Sequence, residues 1–226
     1  MKKSLFIILI FAAFCGGCGL VSVIGTETYG NQKVPAQLDF SDIAKAGPLL
    51  VLVEPSHGSR VPPDLPAKLR TVIVSEIVKK TRVKAKNIIS PKKVEPLLAR
   101  MQVFSGNRPL ELAKAASAAT VLYILIEDYR LTAVPQSQYH KGSMSARGVV
   151  FDVASSKPLW PVPPATGTAR SKVEFETEGV DATRNRIIAT VAHCIARNFY
   201  NCKRSRYKMN DEETNLTIEG MENMGY

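Results

Sequence analysis

A short polar loop holds the residue types that acid–base and nucleophilic chemistry would need. Glu54, His57, Ser59 and Arg60 follow directly on the apolar run 49–53. A carboxylate, an imidazole and a hydroxyl can serve as acid, base and nucleophile when they lie within hydrogen-bond reach of one another. The sequence fixes no such geometry, and a solvated polar loop accounts equally for these residues. The loop is therefore a candidate ligand or hydrolytic site, and we expect no catalytic residues.

Recognisable catalytic and phosphate-binding motifs are absent from the chain. It has no G-x-S-x-G, no G-x-x-x-x-G-K-[ST] and no G-x-G-x-x-G. Its three histidines, His57, His140 and His193, do not have the spacing of metal ligands. We expect no metal and no cofactor.

A second group of reactive residues lies near the amino terminus. Lys2 and Lys3 precede ten apolar residues, 5–14, and then come Cys15, Gly16, Gly17 and Cys18. Ten residues of helix span about 15 Å, which is too short for a hydrocarbon core of about 30 Å. A positive start, a short apolar run and small residues are typical of a signal peptide.

This stretch resembles the lipobox of bacterial lipoproteins, in which small residues precede the modified cysteine. Gly16, Gly17 and Cys18 match it, whereas Cys15 stands where the family prefers an aliphatic residue. The resemblance implies that residues 1–17 are removed, that Cys18 receives a diacylglycerol thioether and that its amine is acylated. Gly19 in place of aspartate implies anchoring to the outer membrane, facing the periplasm. An ordinary cleaved signal with incidental cysteines is the alternative.

The charge balance is basic, with a formal net charge of +10. Removal of Lys2 and Lys3 with the signal leaves 28 basic and 20 acidic residues, a net charge of +8. Export argues against nucleic acid as the partner and favours an anionic surface of the cell envelope. Seven cations cluster in one stretch: Lys79, Lys80, Arg82, Lys84, Lys86, Lys92 and Lys93. Lys84, Lys86 and Lys93 are candidates for docking to anionic lipid or wall polymer, and a solvated face is the alternative.

Hydrophobic periodicity divides the mature chain into three parts. Residues 18–46 have little periodicity and are interpreted as the lipidated cysteine with a tether and an entry segment, in which Tyr29, Val34, Leu38 and Phe40 could dock on the domain. Residues 203–226 are interpreted as a disordered tail. Residues 47–202 are predicted to form a single domain. Its pattern predicts strands at 49–53, 83–89, 120–126, 144–153 and 168–177, and amphipathic helices at 65–81, 91–101, 110–118 and 181–199. The fold class is therefore α/β (α+β), with one mixed sheet of about four to six strands and three to four packed helices.

The order of these elements resembles a family of envelope domains. A lipobox, a strand, a long helix and an Ala-rich helix lead directly into Ala119, Thr120 and the apolar strand 121–126. This layout is similar to the amino-terminal domain of the Tol translocation protein TolB, to curli-secretion lipoproteins and to lipoprotein activators of wall synthases. The resemblance implies a binding or assembly module without catalytic residues. We expect a membrane-anchored, non-enzymatic interaction module with an envelope protein or wall polymer as partner, and a small-molecule-binding or hydrolytic domain is the alternative.

Overall fold

A computed structural model describes residues 33–100, 108–161 and 169–203. The predicted signal peptide, Cys18, residues 19–32 of the predicted tether and residues 204–226 of the predicted tail lie outside this range. The described elements, in chain order, are β1 (Lys33–Val34), α1 (Phe40–Ala46), β2 (Leu49–Pro55), α2 (Leu65–Lys80), a 3-10 helix (Ala85–Asn87), α3 (Pro91–Arg100), α4 (Arg108–Ala115), β3 (Thr120–Ala133), β4 (Tyr139–Asp152), β5 (Pro158–Trp160), β6 (Ala169–Glu178), α5 (Val180–Ala196), a second 3-10 helix (Arg197–Phe199) and β7 (Cys202–Lys203).

The centre of the fold is a mixed five-stranded sheet. β2 and β3 are parallel, starting from the pair Leu49 and Thr120, and β3 and β4 form an antiparallel hairpin. β5 and β6 pair one after the other with the far edge of β4. β1 and β7 form a separate two-stranded sheet. The predicted α/β class with one mixed sheet is confirmed.

Helices cover both faces of this sheet. On one face lie α2 and α5, whose apolar side chains recur every three or four residues and are fully buried. The other face carries α3 and α4, where Val94 and Leu112 pack in one cluster with Leu50 and Val121. β3 is thereby buried on both faces, as its continuous apolar sequence predicts.

Residues 33–46, the later part of the segment interpreted as tether and entry segment, belong to the folded domain. Lys33 and Val34 pair with β7, and the side chain of Phe40 in α1 has no exposed surface. Helix α1 has seven residues, with Phe40 and Ile43 buried. A helix this short gives almost no periodic signal in the sequence, so the described chain has five α-helices where three to four were expected.

The strand predicted at 83–89 is also wrong. Residues 85–87 form a 3-10 helix, and the only strand-like contact of this stretch is a single bridge between Leu49 and Ile88. Lys84, Ala85 and Lys86 are exposed in succession, so the side chains do not alternate between buried and exposed. The stretch is a connection that carries the chain from the end of α2 past the edge of β2 to α3.

Candidate functional site

Glu54 lies at the end of β2 and is engaged by two residues from elsewhere in the chain. Its Oε1 is 3.3 Å from Nη1 of Arg108, and the two side chains are 16% and 17% exposed respectively. Tyr123, on the neighbouring strand β3, lies near the same carboxylate. Its pKa is raised to about 12, first by burial and then by the charge of Glu54 and hydrogen bonding to it. The cluster joins β2, β3 and the first residue of α4.

The other residues of the candidate ligand loop have different surroundings. The hydroxyl of Ser59 donates to the carbonyl of Ser56 at 2.7 Å, and the backbone N–H of Ser59 donates to the same oxygen at 3.1 Å. His57 and Arg60 are exposed. These contacts form a tight turn, and the carboxylate of Glu54 points instead to Arg108 and Tyr123. The arrangement gives Glu54 a structural role and leaves Ser59 as a turn residue.

The two remaining histidines lie near opposite ends of α5. His140 is half-buried in β4, and its carbonyl accepts from Thr183 in the first turns of α5. His193 is buried near the last turn, where the hydroxyl of Tyr200 lies 3.4 Å from its Nδ1. No group of three or more potential metal ligands occurs among the described residues.

The seven clustered cations form one exposed region, called here the basic surface. It consists of Lys79, Lys80, Arg82, Lys84, Lys86, Lys92 and Lys93, and every one of these side chains is exposed. None of them forms an ion pair with another residue of the described ranges. The end of α2, the 3-10 helix and the start of α3 carry these charges past the edge of β2, from one face of the sheet to the other.

The basic surface lies at the end of the sheet where β2 and β3 begin. We call this end of the sheet the entry end. α2 follows β2 and packs back across the sheet, so Lys79 and Lys80 return to the level of Leu49. At this level the backbone N–H of Ile89 donates to the carbonyl of Leu49 at 2.9 Å. The loop 56–60 follows the carboxyl end of β2 and lies at the opposite end.

The first and last described residues of the chain lie at the same entry end. β6 runs parallel to β2 and β3, so α5 returns from its end to their beginning. There Lys33 pairs with Lys203, and the N–H of Gln37 donates to the carbonyl of Asn198 at 2.8 Å. The pKa of Asp39 is lowered by hydrogen bonds from Ser41 and further by the positive charge of Arg82, which places the basic surface beside this entry segment.

Sequence reasoning located the basic residues but did not relate them to the point where the tether meets the domain. That relation depends on the direction of α2 and α5 across the sheet and on the pairing of residues 33 and 203, which are far apart in sequence. The described ranges contain no helix that is long and apolar enough to cross a membrane.

Comparison with protein-family profiles gives no match, and neither does comparison with curated proteins. Among solved structures, this chain is similar to lipoprotein GNA1162 from Neisseria meningitidis, with 14% identity, 66% of this chain and 98% of that chain covered, and a TM-score of 0.44. It is similar to the PelC dodecamer from Paraburkholderia phytofirmans, with 12% identity, 75% and 96% coverage and a TM-score of 0.41. The LpoB C-terminal domain from Salmonella enterica has 10% identity, 64% and 96% coverage and a TM-score of 0.34. Similarity at this level carries no argument about function, and the resemblance to the TolB type stays a prediction.

Proposed function

We propose that this chain is an exported lipoprotein, anchored through Cys18, whose α/β domain works as a non-enzymatic interaction or assembly module of the cell envelope. Its place is the outer membrane, with the domain facing the periplasm. The basic surface, with Lys84, Lys86 and Lys93 at its centre, holds the entry end of the domain against the anionic headgroups of the anchoring membrane.

One observation carries this proposal: Lys33, the first described residue, lies at the end of the domain that bears the basic surface. A lipid on Cys18 and the first described residue, Lys33, are separated by residues 18–32, which can span at most roughly 50 Å. The lipid therefore keeps the domain within that distance of the bilayer. Because the tether leads to the entry end, this end is the part of the domain that the anchor keeps nearest to the headgroups.

The charges on this end add to the affinity for the membrane. A lysine or arginine near an anionic bilayer contributes about 1 kcal/mol, and the attraction fades within about 10 Å at 0.1 M salt. Seven exposed cations, none of which forms an ion pair within the described ranges, are therefore a sizeable second attachment beside the lipid. A lipid anchor combined with a basic patch is a common way to make membrane attachment stable.

The anchor is tested by the intact mass of the chain isolated from membranes. We expect the mass of residues 18–226 plus a diacylglycerol and an acyl chain, and we expect the Cys18→Ser chain to lack both additions. If the wild-type chain and the Cys18→Ser chain both gave an unlipidated product, the lipid anchor at Cys18 would be contradicted.

Docking is tested separately with the unanchored Cys18→Ser chain and vesicles that contain or lack anionic lipid. Reversal of three charges of the basic surface, Lys84→Glu, Lys86→Glu and Lys93→Glu, should weaken binding to anionic vesicles at least about 100-fold. The matched control Arg60→Glu, Lys68→Glu and Arg130→Glu makes the same change of net charge away from the entry end. It should weaken binding far less, and equal losses in the two variants would contradict docking through this surface. Isolated wall sacculi form a parallel arm, and binding to sacculi alone would replace lipid by wall polymer as the partner.

A further inference from the structure

Strand β6 has an open outer edge. Its inner edge pairs with β4 over ten consecutive residue pairs, from Ala169 with Gly148 to Glu178 with Tyr139, without a bulge. No other strand among the described residues lies along its outer edge. About half of the backbone N–H and C=O groups of an edge strand point outward, and they form a ready template for another strand.

The charges along β6 are ordered by sign. On the face away from α5, its first half carries Arg170 and Lys172 and its second half carries Glu174, Glu176 and Glu178. Within the chain, Arg170 also pairs with Glu127 on β3 at 3.0 Å, and Glu174 pairs with Lys141 on β4. On the opposite face, Val173 and Phe175 are buried in the core with α5. Charged side chains, often lysine, usually protect an edge strand against pairing, but charges that are divided by sign along the strand can pair with a second strand of complementary order. β6 carries a positive half and a negative half.

We propose that the outer edge of β6 pairs with β6 of a second copy of this chain. The two strands run antiparallel about a twofold axis at Val173, which joins two five-stranded sheets into one of ten strands. In this register Arg170 lies opposite Glu176 of the second copy, and Lys172 lies opposite Glu174 of the second copy. Each pairing occurs twice because of the symmetry, so the interface has four cross-strand pairs of opposite charge and none of like charge.

Other registers are less favourable. Shifting the register by one residue in either direction turns the buried face of one copy towards the solvent face of the other. Shifting the register by two residues, which moves the axis to residue 172 or 174, places Lys172 against Lys172 or Glu174 against Glu174. Parallel pairing in register places each charged residue beside the same residue of the second copy, so that like charges repel. The order of charges therefore specifies one antiparallel register.

The geometry is compatible with two copies anchored in one membrane. The twofold axis is perpendicular to the sheet, so the two entry ends lie at opposite ends of the ten-stranded sheet, and both lie at the same height above one membrane when that sheet lies along the membrane plane. Two tethered copies meet at a much higher effective concentration than free ones, which favours an interface formed by a single strand pair.

The experiment uses the full lipidated chain, expressed as two differently tagged copies, and measures capture of one tag by the other after mild detergent extraction. Lys172→Glu and Glu174→Lys each turn two attractive pairs into two repulsive ones. Each variant should capture itself at least about tenfold less than the wild type captures itself. When Lys172→Glu is mixed with Glu174→Lys, all four pairs are again opposite in charge, and capture should return to within about twofold of wild type.

The mixed experiment also serves as the folding control, because a misfolded variant would not recover. Arg60→Glu, which makes the same charge change as Lys172→Glu on an exposed loop, should capture itself like the wild type. The proposal is overturned if the wild type does not capture itself. It is equally overturned if both single variants still do, or if the mixture stays as low as the single variants.

Discussion

The rings of Phe40 and Phe199 stack on each other, with centroids 4.0 Å apart and planes 12° from parallel. Trp160 meets Phe199 edge-on at 5.0 Å, and its indole N–H donates to the side chain of Gln37 at 2.7 Å. These contacts fix α1 to the second 3-10 helix, Arg197–Phe199, near the end of the domain. As a result, the point at which the chain enters the domain is fixed relative to the basic surface.

Replacing Phe40 by alanine removes one of the largest fully buried side chains of the domain. We expect Phe40→Ala to lower the free energy of unfolding by about 3–5 kcal/mol, because the apolar contacts are lost and a cavity remains beside Phe199. Urea denaturation followed by circular dichroism measures the change. The matched control is Tyr139→Ala, at an aromatic side chain that is 47% exposed, which should cost less than about 1 kcal/mol. Similar costs for the two variants would contradict a structural role for residues 33–46.

Gly47 connects α1 to β2 in a backbone conformation that other residues avoid, with φ 145° and ψ −164°. A Cβ atom at this position would lie 2.8 Å from the Cβ of Ala119. We expect Gly47→Ala to destabilise the domain by about 2–4 kcal/mol, since strain and the close contact add. Gly58→Ala is the comparison, because Gly58 also has a positive φ but no atom within 4 Å of the added methyl group. Gly58→Ala should lower the free energy of unfolding by about 1 kcal/mol. An equal loss in both variants would show that the backbone shifts to avoid the contact with Ala119.

The elements predicted well from the sequence are those whose burial repeats within the element itself. The buried residues of α2 are Leu65, Leu69, Ile73 and Ile77, at spacings of four residues that are visible in the sequence. The start of α3 at Pro91 was predicted from the Ser-Pro pair, because proline suits the first turn of a helix. The exposure of Lys84, Lys86 and Lys93 follows from the cost of burying an unpaired charge.

Relations between distant parts of the chain could not be predicted in the same way. Glu54 meets Tyr123 because β2 and β3 pair in parallel with Leu52 opposite Tyr123 and Val53 opposite Ile124, and nothing local in either segment sets that register. Arg108 joins them only through the packing of α4 on the sheet. The sequence did place Glu54 at the carboxyl end of a strand, where ligand sites of α/β proteins often lie, but the partner that occupies its carboxylate was not visible.

Docking by the basic surface should depend strongly on ionic strength. The screening length falls from about 10 Å at 0.1 M salt to about 3 Å at 1 M, so exposed lysines lose most of their attraction to a charged bilayer. We expect binding of the Cys18→Ser chain to anionic vesicles, measured by co-sedimentation, to fall steeply over this range. The variant with Lys84, Lys86 and Lys93 changed to glutamate should show a shallower dependence because fewer attractive charges remain. Binding that is insensitive to salt would indicate apolar contacts in place of charge.

The burial of Tyr123, together with the nearby charge of Glu54, should make the stability of the domain sensitive to alkaline pH. The pKa of Tyr123 is raised from 10.0 to about 12 in the folded chain, so folding favours the protonated phenol. The stabilisation is complete below pH 10, decreases as the pH rises from 10 towards 12, and is lost above the folded pKa. Urea denaturation at a series of pH values should show this loss in the wild type and a smaller one in Tyr123→Phe, which cannot ionise. Glu54→Gln removes the neighbouring negative charge and should lower the pKa of Tyr123 towards 10, seen as phenolate absorbance appearing at lower pH. An unchanged titration in Glu54→Gln would assign the raised pKa to burial alone.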